Sequence, residues 1–381
     1  TSRRFRDQLI DAVTSLRVGY PTDPTVQVGP VIEPASGKLL KALTTLAPGE
    51  TWLVKPRQLD DTGRLWWPGV KTGVKRGSEF HLTEYFGPVL GLISASSLDE
   101  ALEIQNEVDY GLTAGIHSLD RAEISHWLDS VEAGNAYVNR GITGAIVRRQ
   151  PFGGWKKSAV GAGTKAGGPN YLVGLSDWVP ATATELATPA PAVRSLVDWA
   201  ARLQLDELDM LKRGAGSDAL AWEREFGAAR DVSRLTAEVN VLRYSPVPVT
   251  IRYEGGPIAH LLRVLAAGVA AGAPVTVSVA TALDDETASL VRATGATYVV
   301  EDAAAWASFV SGPYAPSRVR LLGGSREAFA EASQGRVDVA LYAQPVVEAG
   351  RVELLTFLRE QAVSITAHRF GSPTPLVENL F

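Results

Sequence analysis

An α/β architecture is what the sequence predicts, and two observations carry that prediction. Short hydrophobic strands alternate with helical patterns along most of the chain. The alternation runs twice, with a Pro-, Ala- and Thr-rich stretch at 179–192 between the two runs. At 381 residues the chain has the length of about two to three domains. Its composition, 45% hydrophobic and 21% charged, is that of a globular protein with ample material for a core. The 37 basic and 42 acidic residues leave a net charge of −5 with no basic stripe, which argues against a nucleic-acid partner. No run reaches the roughly 18 apolar residues of a membrane span. The most apolar segment, 258–282, is broken by Arg263, Pro274 and several glycines. Cysteine is absent, so no disulfide, thiolate metal site or cysteine nucleophile exists in these residues. The five histidines lack ligand spacing, so no metal site is expected, and a cytoplasmic location is.

Each element has its own signal. Phe5, Leu9, Ile10, Val13 and Leu16 fall at helical spacing, and Gly19 and Pro21 stop that helix. A chain that begins inside packed structure is expected to be the C-terminal part of a longer one. After a proline-rich connection at 20–34, a helix over 35–47 has Ser36 at its cap and Leu39, Leu40 and Leu43 on its apolar face. Strands are expected over 51–55, 66–72, 89–94, 114–117 and 136–139, with a loop at 84–88. Helices fit 98–108, with Asp99 and Glu100 in its first turn, and 121–132, closed by Gly134. The stretch 134–171 is rich in glycine and sets Phe152 among small residues. By that pattern alone it fits either a loop whose backbone approaches a ligand or a plain surface loop.

Beyond the linker, helices are expected at 192–213 and 218–230. A second α/β region follows, with strands at 247–253, 275–279, 297–300, 319–322, 338–342 and 364–367. Helices at 257–272, 284–294, 303–311, 325–334 and 353–361 between them imply parallel crossovers and a Rossmann-like sheet. No GxGxxG is present. Gly323, Gly324 and Ser325 sit where a strand meets a helix, which fits either a phosphate-holding turn or a tight turn capped by Ser325.

Five short motifs, GPVI (29–32), EYFGPVL (84–90), YGLTAG (110–115), GNAYVNR (134–140) and QPFGG (150–154), stand in the order of the aldehyde dehydrogenase family. Residues 1–178 resemble the C-terminal half of that family's catalytic domain. TGAIVRRQPFGG followed by AGGPNYL narrows the resemblance to the L-glutamate γ-semialdehyde (1-pyrroline-5-carboxylate) dehydrogenase branch. The continuation, ending in AVSITAHRFG (362–371), resembles the C-terminal extension of long bifunctional proline utilization A proteins. The resemblance implies a catalytic-domain half at 1–178, a linker and helical segment at 179–238, and a Rossmann-like domain at 239–381.

The family chemistry uses a cysteine thiolate that attacks the aldehyde, NAD as hydride acceptor, and hydrolysis of a thioester. The resemblance puts that cysteine and the NAD domain upstream, so no catalytic residue is assigned and this chain alone is expected to be inactive. FAD would belong to a proline dehydrogenase further upstream, not to this chain. The implied partners are the upstream half of the same polypeptide and L-glutamate γ-semialdehyde; a homo-oligomer is left open.

Residue by residue, Glu84 resembles the glutamate that accepts from the nicotinamide ribose hydroxyls, with Phe86 beside the cofactor. Gly144 and Ala145, framed by Thr143 and Ile146, match a loop whose amides hold the substrate α-carboxylate. Phe152 matches the aromatic that packs on the aliphatic part of the substrate. The bland alternatives are a solvated Glu84 and core positions for Phe86 and Phe152. Asn139 and Arg140 are expected to fix the loop through backbone bonds, and Arg148 and Arg149 to pair with acids or face solvent. Lys156, Lys157 and Lys165 read as solvated charges, and His117 and His126 as surface residues. Two further readings remain: a C-terminal domain that serves as a non-catalytic lid, brace or oligomerisation module, with residues 363–371 adding a strand to a neighbouring sheet, and a general aldehyde dehydrogenase of other substrate.

Overall fold

The computed structural model describes residues 2–377 and 380–381. Contacts divide the chain into two compact units, Thr1–Asp109 and Tyr110–Phe381. The division falls between 109 and 110 rather than at the linker near 179, because strands of 113–138 share a sheet with strands of the C-terminal region.

The first unit holds helices α1 (Arg3–Thr14) and α2 (Gly37–Thr44), then a three-stranded sheet and helix α3 (Leu98–Asn106). The sheet orders β1 (Thr51–Val54), β2 (Gly69–Thr72) and β3 (Val89–Leu92), with β2 in the centre. α1 starts on Ser2, whose hydroxyl accepts from the Phe5 amide, and contains no buried residue. Ser36 occupies the cap position of α2 but makes no side-chain cap bond. The sheet buries Lys71 against Glu50 at 3.3 Å.

The second unit carries two sheets. In chain order its main elements are β4 (Thr113–Ile116), α4 (Arg121–Ser130), β5 (Asn135–Val138), α5 (Pro191–Ala200), α6 (Leu208–Ala221), β6 (Arg230–Asp231) and β7 (Glu238–Pro246). There follow β8 (Val249–Tyr253), α7 (Ile258–Ala271), β9 (Val275–Val279), α8 (Asp285–Ala293), β10 (Thr297–Val300), α9 (Ala303–Ser311), β11 (Arg318–Leu322), α10 (Arg326–Ala332), β12 (Ala340–Tyr342) and β13 (Leu358–Thr366). Strands β10-β9-β8-β11-β12 form an all-parallel sheet, the expected doubly wound arrangement. Its central helix α7 is largely buried, as its mostly apolar sequence requires. Arg263 of α7 is fully buried and makes a two-pronged ion pair with Asp218 of α6, at 2.7 and 2.8 Å. Such a pair leaves neither charge uncompensated and fixes how the two helices meet.

The second sheet runs β6-β7-β13-β5-β4. Here β13 pairs in parallel with β5, Val363 opposite Ala136 and Ile365 opposite Val138, and antiparallel with β7 along nine residues. Of the segment 363–371 expected to add a strand, only 363–366 does so, as the end of a strand that begins at Leu358; His368 and Arg369 pair instead with Pro373 and Ser372.

Several local expectations fail for identifiable reasons. The helix expected at 353–361 is a 3₁₀ turn, Leu354–Phe357, that runs into β13, because strands on both sides supply backbone partners. The helices expected at 192–213 and 218–230 break instead at 201–207, where Gln204 and Glu207 have left-handed φ. Helix α6 then continues through Gly214, whose missing side chain admits Arg263. Gly134 does not cap α4, which ends at Val131; a Cβ on Gly134 would lie 2.1 Å from the Gly153 carbonyl oxygen. At 323–325 the capping reading holds: the Ser325 hydroxyl accepts from the Ala328 amide at 3.1 Å. A side chain on Gly323 would lie 2.3 Å from the Gly255 oxygen, so the two turns at the centre of the parallel sheet abut. Among the described residues no helix is long and apolar enough to cross a membrane.

Ile365 is fully buried at the β13–β5 seam. Ile365→Ala is expected to lower the unfolding free energy by about 2–5 kcal/mol in a denaturant titration; a loss under about 0.5 kcal/mol, the scale of a surface substitution, would contradict the buried seam.

Candidate functional site

The glycine-rich stretch leaves β5 and returns along the same strand. Asn139, with φ 56°, turns the chain, and its side-chain amide accepts from the Ser118 amide at 3.0 Å and donates to the Ser118 carbonyl at 2.8 Å. Arg140 reaches Glu238 of β7 at 2.8 Å. Asn139 thus fixes the loop through bonds to the backbone, as expected, and Arg140 does so through an ion pair instead. Burial works to raise the Glu238 carboxyl, but hydrogen bonds it accepts from Arg140 and Asn240, together with the arginine charges, hold it below the usual range.

Gly144 and Ala145 lie exposed at the tip, with Gly144 at φ 119°. Beneath them the buried Tyr137 donates its hydroxyl to the Gly144 carbonyl at 2.9 Å. That carbonyl and the Ala145 N–H share one trans peptide plane and point in opposite directions. Pinning the oxygen therefore aims the Ala145 N–H away from Tyr137. Among the described residues neither the Gly144 nor the Ala145 amide has an intramolecular acceptor. Ile146 and Gln150 close the tip by pairing their backbones at 3.1 and 2.7 Å. Gln150, 2% exposed, donates to Glu238 at 2.7 Å and Asn240 at 3.0 Å, both on β7.

Phe152 is half-buried, so the full core position is not observed. Its backbone pairs with Ala166 at 3.0 and 2.9 Å. The buried Asn135 brackets it, donating to the Pro151 carbonyl at 2.9 Å and accepting from the Gly153 amide at 3.1 Å. Lys165 corrects the expectation of a solvated charge: it is 1% exposed. Its amine donates to the Gly153 carbonyl at 2.5 Å and to Asn135 at 3.4 Å. Burial pushes this amine down to about 7, against the opposing pull of Glu360. The Lys165 backbone N–H donates to Glu360 of β13 at 2.8 Å, and Asn170 donates to the same carboxylate at 2.5 Å and to the Tyr244 hydroxyl at 3.0 Å. Burial pushes the Glu360 carboxyl up.

In the first unit, Glu84 and Phe86 are both exposed. Lys38 holds the Glu84 backbone carbonyl at 2.6 Å, leaving its carboxylate toward solvent. Phe86 is 76% exposed with φ 52°, which removes the core reading. Between them Tyr85 stacks on Phe80 with ring centroids 4.9 Å apart. His117 and His126 are on the surface, Lys156 pairs with Glu132, Arg148 is exposed, and Arg149 comes within 3.9 Å of Glu238. Among the described residues no cluster of His, Asp or Glu has the makings of a metal site.

Sequence reasoning located the exposed loop and missed what supports it: Asn135, Tyr137, Gln150, Lys165, Glu238, Asn240 and Glu360. Asn135 offered a signal, a polar residue inside an otherwise apolar strand. Lys165 offered none, since the groups that bury it include a residue 195 positions away.

The unfolded chain holds the Lys165 proton up to its ordinary value of about 10.5, while the folded amine releases it near 7. Between those values the unfolded state binds the extra proton, so this group makes stability rise with pH from about 7 to about 10. Lys165→Met should lose that component; identical slopes of unfolding free energy against pH in both proteins would contradict the buried amine.

Comparison with known proteins bears on the same loop. Residues 1–176 match the model of the aldehyde dehydrogenase family. The chain is 37% identical over 168 residues to a 1-pyrroline-5-carboxylate dehydrogenase of Bacillus subtilis (strain 168), covering 44% of this chain and 32% of that protein. A namesake from Geobacillus sp. (strain WCH70) is 36% identical over the same length and share. The structure of proline utilization A from Corynebacterium freiburgense aligns with 97% of this chain and 35% of its own, at 41% identity and a TM-score of 0.79. The chain thus spans about a third of the length of the relatives it matches.

Proposed function

We propose that this chain, whose residues 1–176 match the aldehyde dehydrogenase family model, is the C-terminal part of a proline utilization A-type enzyme. Its dehydrogenase module oxidises L-glutamate γ-semialdehyde to glutamate with NAD, in proline catabolism. The observation that carries the reading is the likeness to proline utilization A, which runs through the C-terminal region as well as the family segment.

In this reading the Gly144 and Ala145 N–H groups receive the substrate α-carboxylate. Two exposed amides without internal acceptors suit an anion, and Tyr137 orients one of them before substrate arrives. Preorganised donors lose little freedom on binding, so the contact is strong for its size. Phe152, bracketed by Asn135, covers the aliphatic chain and keeps water from the carbon next to the aldehyde. Cysteine is absent from these 381 residues, so the attacking thiolate comes from sequence that precedes them. Glu84 fits the nicotinamide ribose: its exposed carboxylate can accept from two neighbouring hydroxyls. NAD supplies the hydride acceptor when bound, and most of its site lies in the upstream domain. FAD serves the proline dehydrogenase of the parent and has no residues here.

A second reading concerns the C-terminal region alone, as a non-catalytic brace. It is favoured by β13, which pairs with β5, donates the Gln361 amide to Ala133 at 2.9 Å and accepts from Trp155 at Glu360 O, 2.7 Å. The two readings are compatible. A general aldehyde dehydrogenase of other substrate would not need the anion loop, and profiling aldehydes with and without an α-amino acid group separates that case.

Gly144→Pro in the intact enzyme forces φ far from 119° and misdirects the amide pair. The KM for the semialdehyde is expected to rise at least about tenfold, the worth of one hydrogen bond to a charged group. An unchanged KM would sink the carboxylate assignment.

A further inference from the structure

Lys165 is a buried titratable group beside the candidate site for which the proposed reaction has no use. Its side chain crosses the interior and ends on two neutral oxygens, those of Gly153 and Asn135. Glu360 acts on the amine through its charge, while its carboxylate takes the Lys165 backbone N–H. An ammonium so placed loses most of its hydration, which the attraction of Glu360 only partly offsets, a cost an apolar residue of the same length would avoid. What the amine holds is specific. Asn135 accepts from the Gly153 N–H while Lys165 donates to the Gly153 carbonyl, so both backbone polar groups of that residue are fixed. Asn135 also fixes the Pro151 carbonyl. Phe152 lies between these two anchored residues, and on its other side its backbone meets Ala166, the neighbour of Lys165.

We propose that Lys165 is a positioning residue of the aldehyde site. By clamping Gly153 against Asn135 it sets the angle at which Phe152 meets the substrate chain. The assignment rests on the function proposed above. The charged and titratable groups facing Lys165 come from the C-terminal strands: Glu360 on β13 takes its backbone N–H, and Tyr244 on β7 shares Asn170 with that carboxylate. Glu225 accepts from Tyr244 and is in turn paired with Arg351 at 2.5 Å. A misplaced aromatic weakens substrate binding before it touches the bond-making step, so the effect belongs in KM.

The test uses the full-length enzyme with NAD saturating. Lys165→Met should raise the KM for the semialdehyde about tenfold and leave kcat within about threefold. Lys165→Gln, which keeps an N–H donor, should fall between the two. A folded Lys165→Met enzyme with the wild-type KM overturns the proposal, as does a loss confined to kcat. If either lysine variant fails to fold, Asn135→Ala loosens the same glycine while leaving the amine in place, and an unchanged KM there overturns it equally. Wild-type enzyme inactive on the semialdehyde would fell the functional reading and this inference together; an active wild type with indifferent variants fells the inference alone.

Discussion

The parallel pairing of β13 with β5 is the constraint on which the second unit depends. It places a strand from the end of the chain beside the strand that launches the glycine-rich loop. Successive residues of a strand point to opposite faces. Glu360 therefore turns toward Lys165 and Asn170, while Gln361 turns to Ala133 and to Arg243. A slip of one residue would exchange these partners and send the buried Val363 and Ile365 to the wrong face. The register is held on both sides, by nine residues of β7 and four of β5, so such a slip would break every bond in the seam at once.

From that seam the loop is built outward in layers. Polar side chains of β5 hold the backbone of 144–153, those of β7 hold the Gln150 side chain, and the exposed tip is left with two amides unclaimed. The supports are largely buried and hydrogen-bonded, whereas the groups offered to a ligand are backbone amides. Such an arrangement keeps the recognising groups stiff without spending a charged side chain on them.

Much of this was legible in the sequence because it was local. Strands 275–279 and 297–300 and helix α9 were readable to the residue, since each is bounded by turn residues and occupies one layer of a regular crossover. The loop itself was readable through its glycines and its family motifs. What escaped depends on distant residues. LLTFLREQ has helical spacing, and only the partners on both sides make its second half a strand. Glu360 and Gln361 look like surface residues until the fold surrounds them. Lys165 follows two other lysines in a glycine-rich run, where solvent is the ordinary environment, and no local pattern announces its burial.

The seam also has a history within each molecule. The contact of Gln361 with Ala133 joins residues 228 positions apart. At about 5–20 residues per second, a ribosome needs roughly 10–45 seconds to deliver the later partner. For that time β5 has β4 on one side and an unclaimed edge on the other. An open strand edge invites pairing with foreign chains. That edge of β5 must therefore be kept from foreign strands until β13 is made.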